Sequence, residues 1–328
     1  MRSVRATLVA GAIVGASVLT PAASVANECP PGAQSGTYCE PQHYYFQTLD
    51  NGQDPTFNQL LGINQQGVIA GYYGSGAQGH PNKGYKLLAP YRHGRYVSEN
   101  FPGSAQTQVT GLNDRGVIVG FWSDSDNASQ LNANFGFYKL GGSFHTVNFP
   151  SGASSSPPVN QLLGVNNSDI AVGFYNDAAG ASHGYTYNIK RNRFHPVTIA
   201  GATSVTAAAI NNRGDIAGFD STGSGILGFL RRAGGSLTTL AYPGATLTEA
   251  LGVNDLDEVV GYYETAGSLA PMHGFTWTPR NGFETVNDPK GIDTTTVNGV
   301  NDRGQLVGFY VDSTGNTDGM LATPGGGR

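Results

Sequence analysis

One position of this 328-residue chain carries a polar side chain six times over: Gln59, Gln108, Gln161, Thr206, Glu249 and Thr296, each five residues before an asparagine. The next residue is apolar every time: Leu60, Val109, Leu162, Ala207, Ala250 and Val297. Set on the innermost strand of a ring, the polar six would surround its axis and offer hydrogen bonds to a polar ligand. Glu249 is their one carboxylate and the candidate general acid or base, because such work needs a titratable group within reach of the reacting atom. His183 and His273 share another repeated position and would assist it. The plainer reading is that the ring holds water and satisfies local backbone groups, and that His183 hydrogen-bonds its own loop at Asp177.

Other chemistry finds less support. Metal centres need three or four ligands converging on one point, whereas repeats spread equivalent residues around a ring, so neither a metal nor another cofactor is expected. Asp124-Ser125-Asp126-Asn127 clusters oxygens without the full calcium loop and its terminal Glu. Ser221-Thr222-Gly223-Ser224-Gly225 contains Gly-Ser-Gly, not a nucleophile elbow. Phosphate-binding loops and zinc-protease helices are absent.

The elements that would position these residues follow from a repeat. Asn64, Asn113, Asn166, Asn211, Asn254 and Asn301 are each followed seven residues later by Gly and then an aromatic. Their spacings of 49, 53, 45, 43 and 47 residues mark a repeat architecture. Each unit reads as four short strands. The first ends at the Asn, and a tight turn such as Asn113-Asp114-Arg115-Gly116 follows, in which Asn and Asp cap their own turn and Gly closes it. The second carries Val-Gly-Phe-type sequence, and its Gly implies a close neighbouring backbone. The third opens at a second Gly–aromatic pair, as in Gly136-Phe137, and the fourth runs like Phe283-Glu284-Thr285-Val286. Sustained helical periodicity is missing.

Six four-stranded units predict an all-β, six-bladed β-propeller over residues 44–328. The sixth unit stops after its third strand, and the missing fourth strand occurs at the other end as Phe46-Gln47-Thr48-Leu49. An N-terminal strand therefore completes the last blade. An open β-solenoid would give no reason for that displacement. Long loops after the second and fourth strands share one face, and a rigid scaffold's loops are where function is expected.

The Gly-Val-Asn turn, the Val-Gly-Phe-Tyr strand, the Asp-x-x-Gly-x-x-His-Gly-aromatic stretch and the Phe-x-Thr-Val-x-x-Pro segment resemble HAF repeats, a family of extracellular bacterial repeats. The family's His-Ala-Phe tripeptide corresponds to His183-Gly184-Tyr185 and His273-Gly274-Phe275, while Lys83, Phe135, Leu227 and Asp318 replace the His elsewhere. The resemblance implies export and architecture and carries no established activity.

Residues 1–26 read as a secretory signal peptide: Arg2 and Arg5, an apolar stretch from Leu8 to Leu19, then Ser24-Val25-Ala26 for cleavage. The expected location is secreted or periplasmic, with no membrane span. In the segment 27–43, Cys29 and Cys39 are the two cysteines, and an exported chain with such a pair reads as disulfide-bonded. Loss of two arginines takes the formal charge from -5 to -7, which opposes nucleic-acid binding. Three functions stay open. The first is a binding module recognising a glycan or an extracellular protein through its long-loop face. The second is a hydrolase or lyase acting on a polymer at the channel mouth. The third is a structural envelope protein.

Overall fold

The structure, a computed structural model, describes residues 44–77, 79–91, 95–126, 132–150, 154–223, 225–265 and 271–325. The expected signal peptide and the Cys29–Cys39 pair lie outside the described residues. Within them the chain is all-β, with 24 strands and no helix, and it forms the six-bladed propeller. Six antiparallel four-stranded sheets follow one another along the chain, each numbered from its innermost strand outward. The innermost strands are Asn58–Ile63, Gln106–Leu112, Asn160–Val165, Ser204–Ile210, Leu247–Val253 and Thr295–Val300. Single parallel bridges such as Phe57 to Thr317 and Asn134 to Val159 tie neighbouring blades together. One of them, Ile226 to Leu247, joins the fourth and fifth sheets.

Blade closure follows the sequence expectation. Strand Tyr44–Thr48 pairs antiparallel with Thr317–Pro324 as the outermost strand of the sixth blade, in register from Tyr44 opposite Pro324 to Thr48 opposite Met320. An edge strand that would otherwise offer unpaired backbone groups is thereby covered.

The repeated Gly of the second strand exists for contact. A Cβ on Gly71, Gly120, Gly173, Gly218, Gly261 or Gly308 would collide with the carbonyl oxygen of the facing innermost strand. Third-strand aromatics cover the same spot, as where Phe137 and Phe229 lie against Gly120 and Gly218. These aromatics are fully buried, and with Leu60, Leu162 and Val297 they pack blade against blade. Every innermost strand also carries a register shift, from Leu60/Gly62 in the first blade to Val297/Gly299 in the sixth. A bulge re-aims the side chains beyond it. Here it brings the backbones of adjacent blades together around the axis: a Cβ on Gly299 would sit 3.1 Å from Gly62 Cα.

Removal of residues through Thr48 should expose the Thr317–Pro324 edge. The expected outcome is self-association in size-exclusion chromatography and a melting temperature lower by roughly 10 °C or more. A monomer of unchanged stability would contradict the closure.

Candidate functional site

The repeated asparagines build a closed ring. Each donates from Nδ2 to the backbone carbonyl of the Asn in the next blade: Asn64 to Asn113 at 3.2 Å, Asn113 to Asn166 at 2.9 Å, Asn166 to Asn211 at 3.0 Å, Asn211 to Asn254 at 3.0 Å, Asn254 to Asn301 at 3.1 Å and Asn301 to Asn64 at 3.2 Å. Each Oδ1 accepts two N–H groups of its own turn, as Asn166 does from Ser168 and Ile170. An amide places its acceptor and its donor on separate atoms of one short side chain, so Oδ1 can hold the turn while Nδ2 crosses to the next blade. The residues one position on form a second ring. The N–H groups of Gln65, Asp114, Asn167, Asn212, Asp255 and Asp302 each donate to the side-chain oxygen of the next member, and Asp302 closes onto Gln65.

These rings surround an axial cavity of about 110 Å³, lined by residues 61–65, 110–114, 163–167, 208–212, 251–255 and 298–300. That space equals three or four waters, well below the roughly 300 Å³ at which small-molecule sites begin.

The polar six are all on innermost strands and all buried, and none of them lines that cavity. Gln59 Oε1 accepts from the Tyr72 hydroxyl at 2.8 Å. Glu249 accepts likewise from Tyr262. Where the aromatic is Phe, Gln108 and Gln161 turn instead to Asn82 and Asn134 in the preceding blade, at 2.8 and 2.7 Å. Thr206 and Thr296 complete the set as buried hydroxyls. Burial pushes the Glu249 carboxyl up to about 8, against an ordinary value of 4.5. It is therefore a protonated acid at neutral pH, occupying the place of a glutamine.

The proposed catalytic partners do not meet. Glu249 is in register with Tyr262, and Tyr262 with Gly274. His273 is thus about two strand spacings from Glu249, roughly 10 Å, and alternation turns it to the opposite sheet face. Its Nδ1 faces Asn287 Nδ2 at 3.0 Å. His183 sits in the third blade, with the whole fourth blade intervening before Glu249. Its Nε2 lies 2.8 Å from Asp177 Oδ2, and that hydrogen bond holds the Asp177 carboxyl below its usual range. Asp177 and Asp312 also accept backbone N–H groups of their own loops, which makes them turn residues. Among the described residues no three His, Cys, Asp or Glu side chains are grouped to hold a metal.

The two histidines belong to an arrangement that the sequence reading missed. A residue of the link between blades, one at the end of the second strand and one at the start of the third bring three rings together, the first pair stacked and the second stacked in the third blade and tilted in the other two. Phe101–Trp122–Phe135 has centroid spacings of 4.5 and 4.8 Å. Phe149–Tyr175–His183 has 4.5 and 5.1 Å, and Tyr242–Tyr263–His273 has 3.5 and 5.3 Å. Each second pair is directly cross-strand. The stacks lie at the long-loop end of blades two, three and five. Phe101, Trp122, Phe149, Tyr175 and Tyr242 are half-buried and His183 is exposed. Among the described residues the buried Trp122 Nε1 has no hydrogen-bond partner. The other blades place Asn51/Tyr73/Lys83, Ile199/Asp220/Leu227 and Asp288/Tyr310/Asp318 at the same positions. The signal in the sequence was the aromatic that follows the repeated Gly–aromatic pair in every blade but the fourth, where Asp220 stands, together with the Phe or Tyr before the linker proline at Phe101, Phe149 and Tyr242.

No protein-family profile matches the chain, and no curated protein matches its sequence. Its architecture is similar to that of solved structures, a lectin among them. One is SapL1 lectin in complex with alpha methyl fucoside, with 10% identity, a TM-score of 0.54 and coverage of 84% of this chain and 95% of that one. Another is AofleA from Arthrobotrys oligospora, with 11% identity, a TM-score of 0.51 and coverage of 86% of each chain. At such identity the likeness concerns the fold.

Two outcomes test these assignments. Asn166→Asp sets a carboxylate oxygen against the Asn211 carbonyl and should cost about 3 kcal/mol or more in denaturant unfolding; a cost below about 1 kcal/mol would contradict the ring. Glu249 keeps its proton in the folded chain while the unfolded chain releases it, so its contribution falls as pH rises from about 4.5 to about 8. Glu249→Gln should remove that slope, raising stability at pH 8 relative to the parent while leaving it little changed near pH 4.

Proposed function

We propose that the chain is a secreted or periplasmic binding module that holds a glycan against the aromatic stacks of its long-loop face. The observation that carries this reading is the set of three aromatic clusters, two of them with a polar neighbour. Asp177 holds His183 beside Tyr175, and Asn287 holds His273 beside Tyr263. A pyranose has an apolar C–H face rimmed by hydroxyls. Half-buried rings with hydrogen-bonding groups at their edges match both parts. The axial cavity of about 110 Å³ is smaller than ordinary small-molecule sites, which favours this face. The bound fucoside in SapL1 lectin supports a sugar as the ligand class on this architecture.

Export is inferred from the basic, apolar and small-residue order of residues 1–26, and the resemblance to HAF repeats supports it. A hydrolase or lyase centred on Glu249 has no comparable support, since that carboxyl is buried beneath Tyr262 and apart from both histidines.

A glycan array probed with the mature protein is the direct test, followed by calorimetry on the best binder. Trp122→Ala and Tyr242→Ala are each expected to weaken binding tenfold or more, and Glu249→Gln to leave it unchanged. Binding that survives both aromatic substitutions would remove the stacks from the site. A silent array alongside capture of an extracellular protein would shift the assignment to a protein ligand.

A further inference from the structure

The two ends of the propeller differ in charge. Every arginine among the described residues stands at the end opposite the aromatic stacks. Arg115, Arg213 and Arg303 lie in the asparagine turns, and the rest, such as Arg191 and Arg280, lie in or beside the turns between third and fourth strands. The described lysines that approach the long-loop end are spent on the protein's own oxygens. Lys83 Nζ donates to the Ala105 carbonyl at 2.9 Å, and Lys290 Nζ to the Thr48 hydroxyl at 3.0 Å. Lys86 and Lys139 share the buried Glu99 carboxylate.

Carboxylates follow the rings. Asp124 stands two residues after Trp122, Asp177 two after Tyr175, and Glu264 directly after Tyr263. Each of the three blades that bear stacks therefore carries a carboxylate just beyond its second-strand ring, where the long loop begins. Asp124 is exposed and Glu264 half-buried, and among the described residues neither has a cationic partner. Asp177 is engaged by His183. The loops that follow, residues 123–134, 176–182 and 264–271, contain no lysine or arginine. His273 meets the Asn287 amide at Nδ1, an arrangement that suits the neutral ring. Asp220, Asp312 and Asp318 add to the same end from the other blades.

We propose that the sugar held at this face is an amino sugar presenting its ammonium, an inference that presupposes glycan binding at the stacks. The C–H face of a pyranose packs on Trp122, Tyr175 or Tyr242 whatever charge the sugar carries, so the rings alone do not choose between sugars. The charges beside them do. An acidic sugar would face carboxylates with no free cation to pair with it, and like charges set against one another suppress a ligand. An ammonium meets the reverse: carboxylates to pair with, and ring faces whose quadrupole attracts cations. A neutral sugar gains from neither. Burial lifts the Glu264 carboxyl above its usual range, and an ammonium beside it would favour its charged form.

The test is calorimetry of the mature protein at about pH 6, where an amine of this kind is charged, with oligomers of glucosamine, N-acetylglucosamine and galacturonic acid of equal length. The glucosamine oligomer is expected to bind at least about fivefold tighter than its N-acetylated counterpart, the yield of two or three exposed ion pairs. The advantage should shrink in high salt, because ions screen exposed charges. The galacturonic acid oligomer is expected to bind weakest. Asp124→Asn and Glu264→Gln should each cut the glucosamine advantage at least about twofold. Equal affinity for the glucosamine and N-acetylglucosamine oligomers would overturn the charge assignment and leave glycan binding standing. So would tighter binding of the galacturonic acid oligomer, or a glucosamine advantage untouched by salt and by both carboxylate variants. Binding of none of the three, alongside a silent glycan array, would remove the glycan site and this proposal with it.

Discussion

A propeller has to close, and the amide of one repeated asparagine is what closes this one at its axis. Each of the six side chains caps its own turn through Oδ1 and reaches the next blade through Nδ2. Local folding and assembly of the ring are therefore bound into one group. A turn that loses its shape withdraws its donor from the neighbour, and a blade that shifts withdraws the acceptor. Aspartate would satisfy the turn and repel the neighbouring carbonyl. Serine would cap the turn without the reach to cross between blades. The backbone contacts at Gly62, Gly111, Gly164 and Gly299 depend on the same geometry, because the bulge beside them brings neighbouring blades close enough for an amide to bridge.

Much of this was legible in the sequence. The period gave six units, and four strands per unit followed from the spacing of the Gly–aromatic pairs. Phe46-Gln47-Thr48-Leu49 disclosed the closure because it repeats a segment that the last unit lacks. What stayed hidden was depth. The asparagine read as a turn residue, since a sequence shows its neighbours in the chain and not the carbonyl of a blade about 50 residues away. Gln59 and its equivalents read as channel-facing because polar and apolar residues alternate there. The bulge after Leu60, Val109 and their counterparts, which no residue type announces, puts the residues that follow on the cavity wall and leaves the polar six enclosed among strands.

Glu249 shows how far a residue's type can mislead. As the sole carboxylate in a ring of amides and hydroxyls it had the look of a reactive group. In place, it does for Tyr262 what Gln59 does for Tyr72, and its raised pKa expresses burial without a charged partner. His183 and His273 follow the same pattern: their equivalence reflects a stacking position that Phe135 fills in the second blade. The chemistry of this chain is concentrated where the repeats differ from one another, at the aromatic positions that three blades keep and three do not.

The asparagine ring is head-to-tail, and the bond from Asn301 to Asn64 has the same form as the five bonds within the chain. The ring thus carries no mark of where the polypeptide begins. Covalent order and spatial order are separable here: the termini can be relocated by circular permutation to any of the links between blades, provided that one blade is again completed by strands from both ends. Removing a blade is a different operation, since five such bonds cannot close on the curvature that six define.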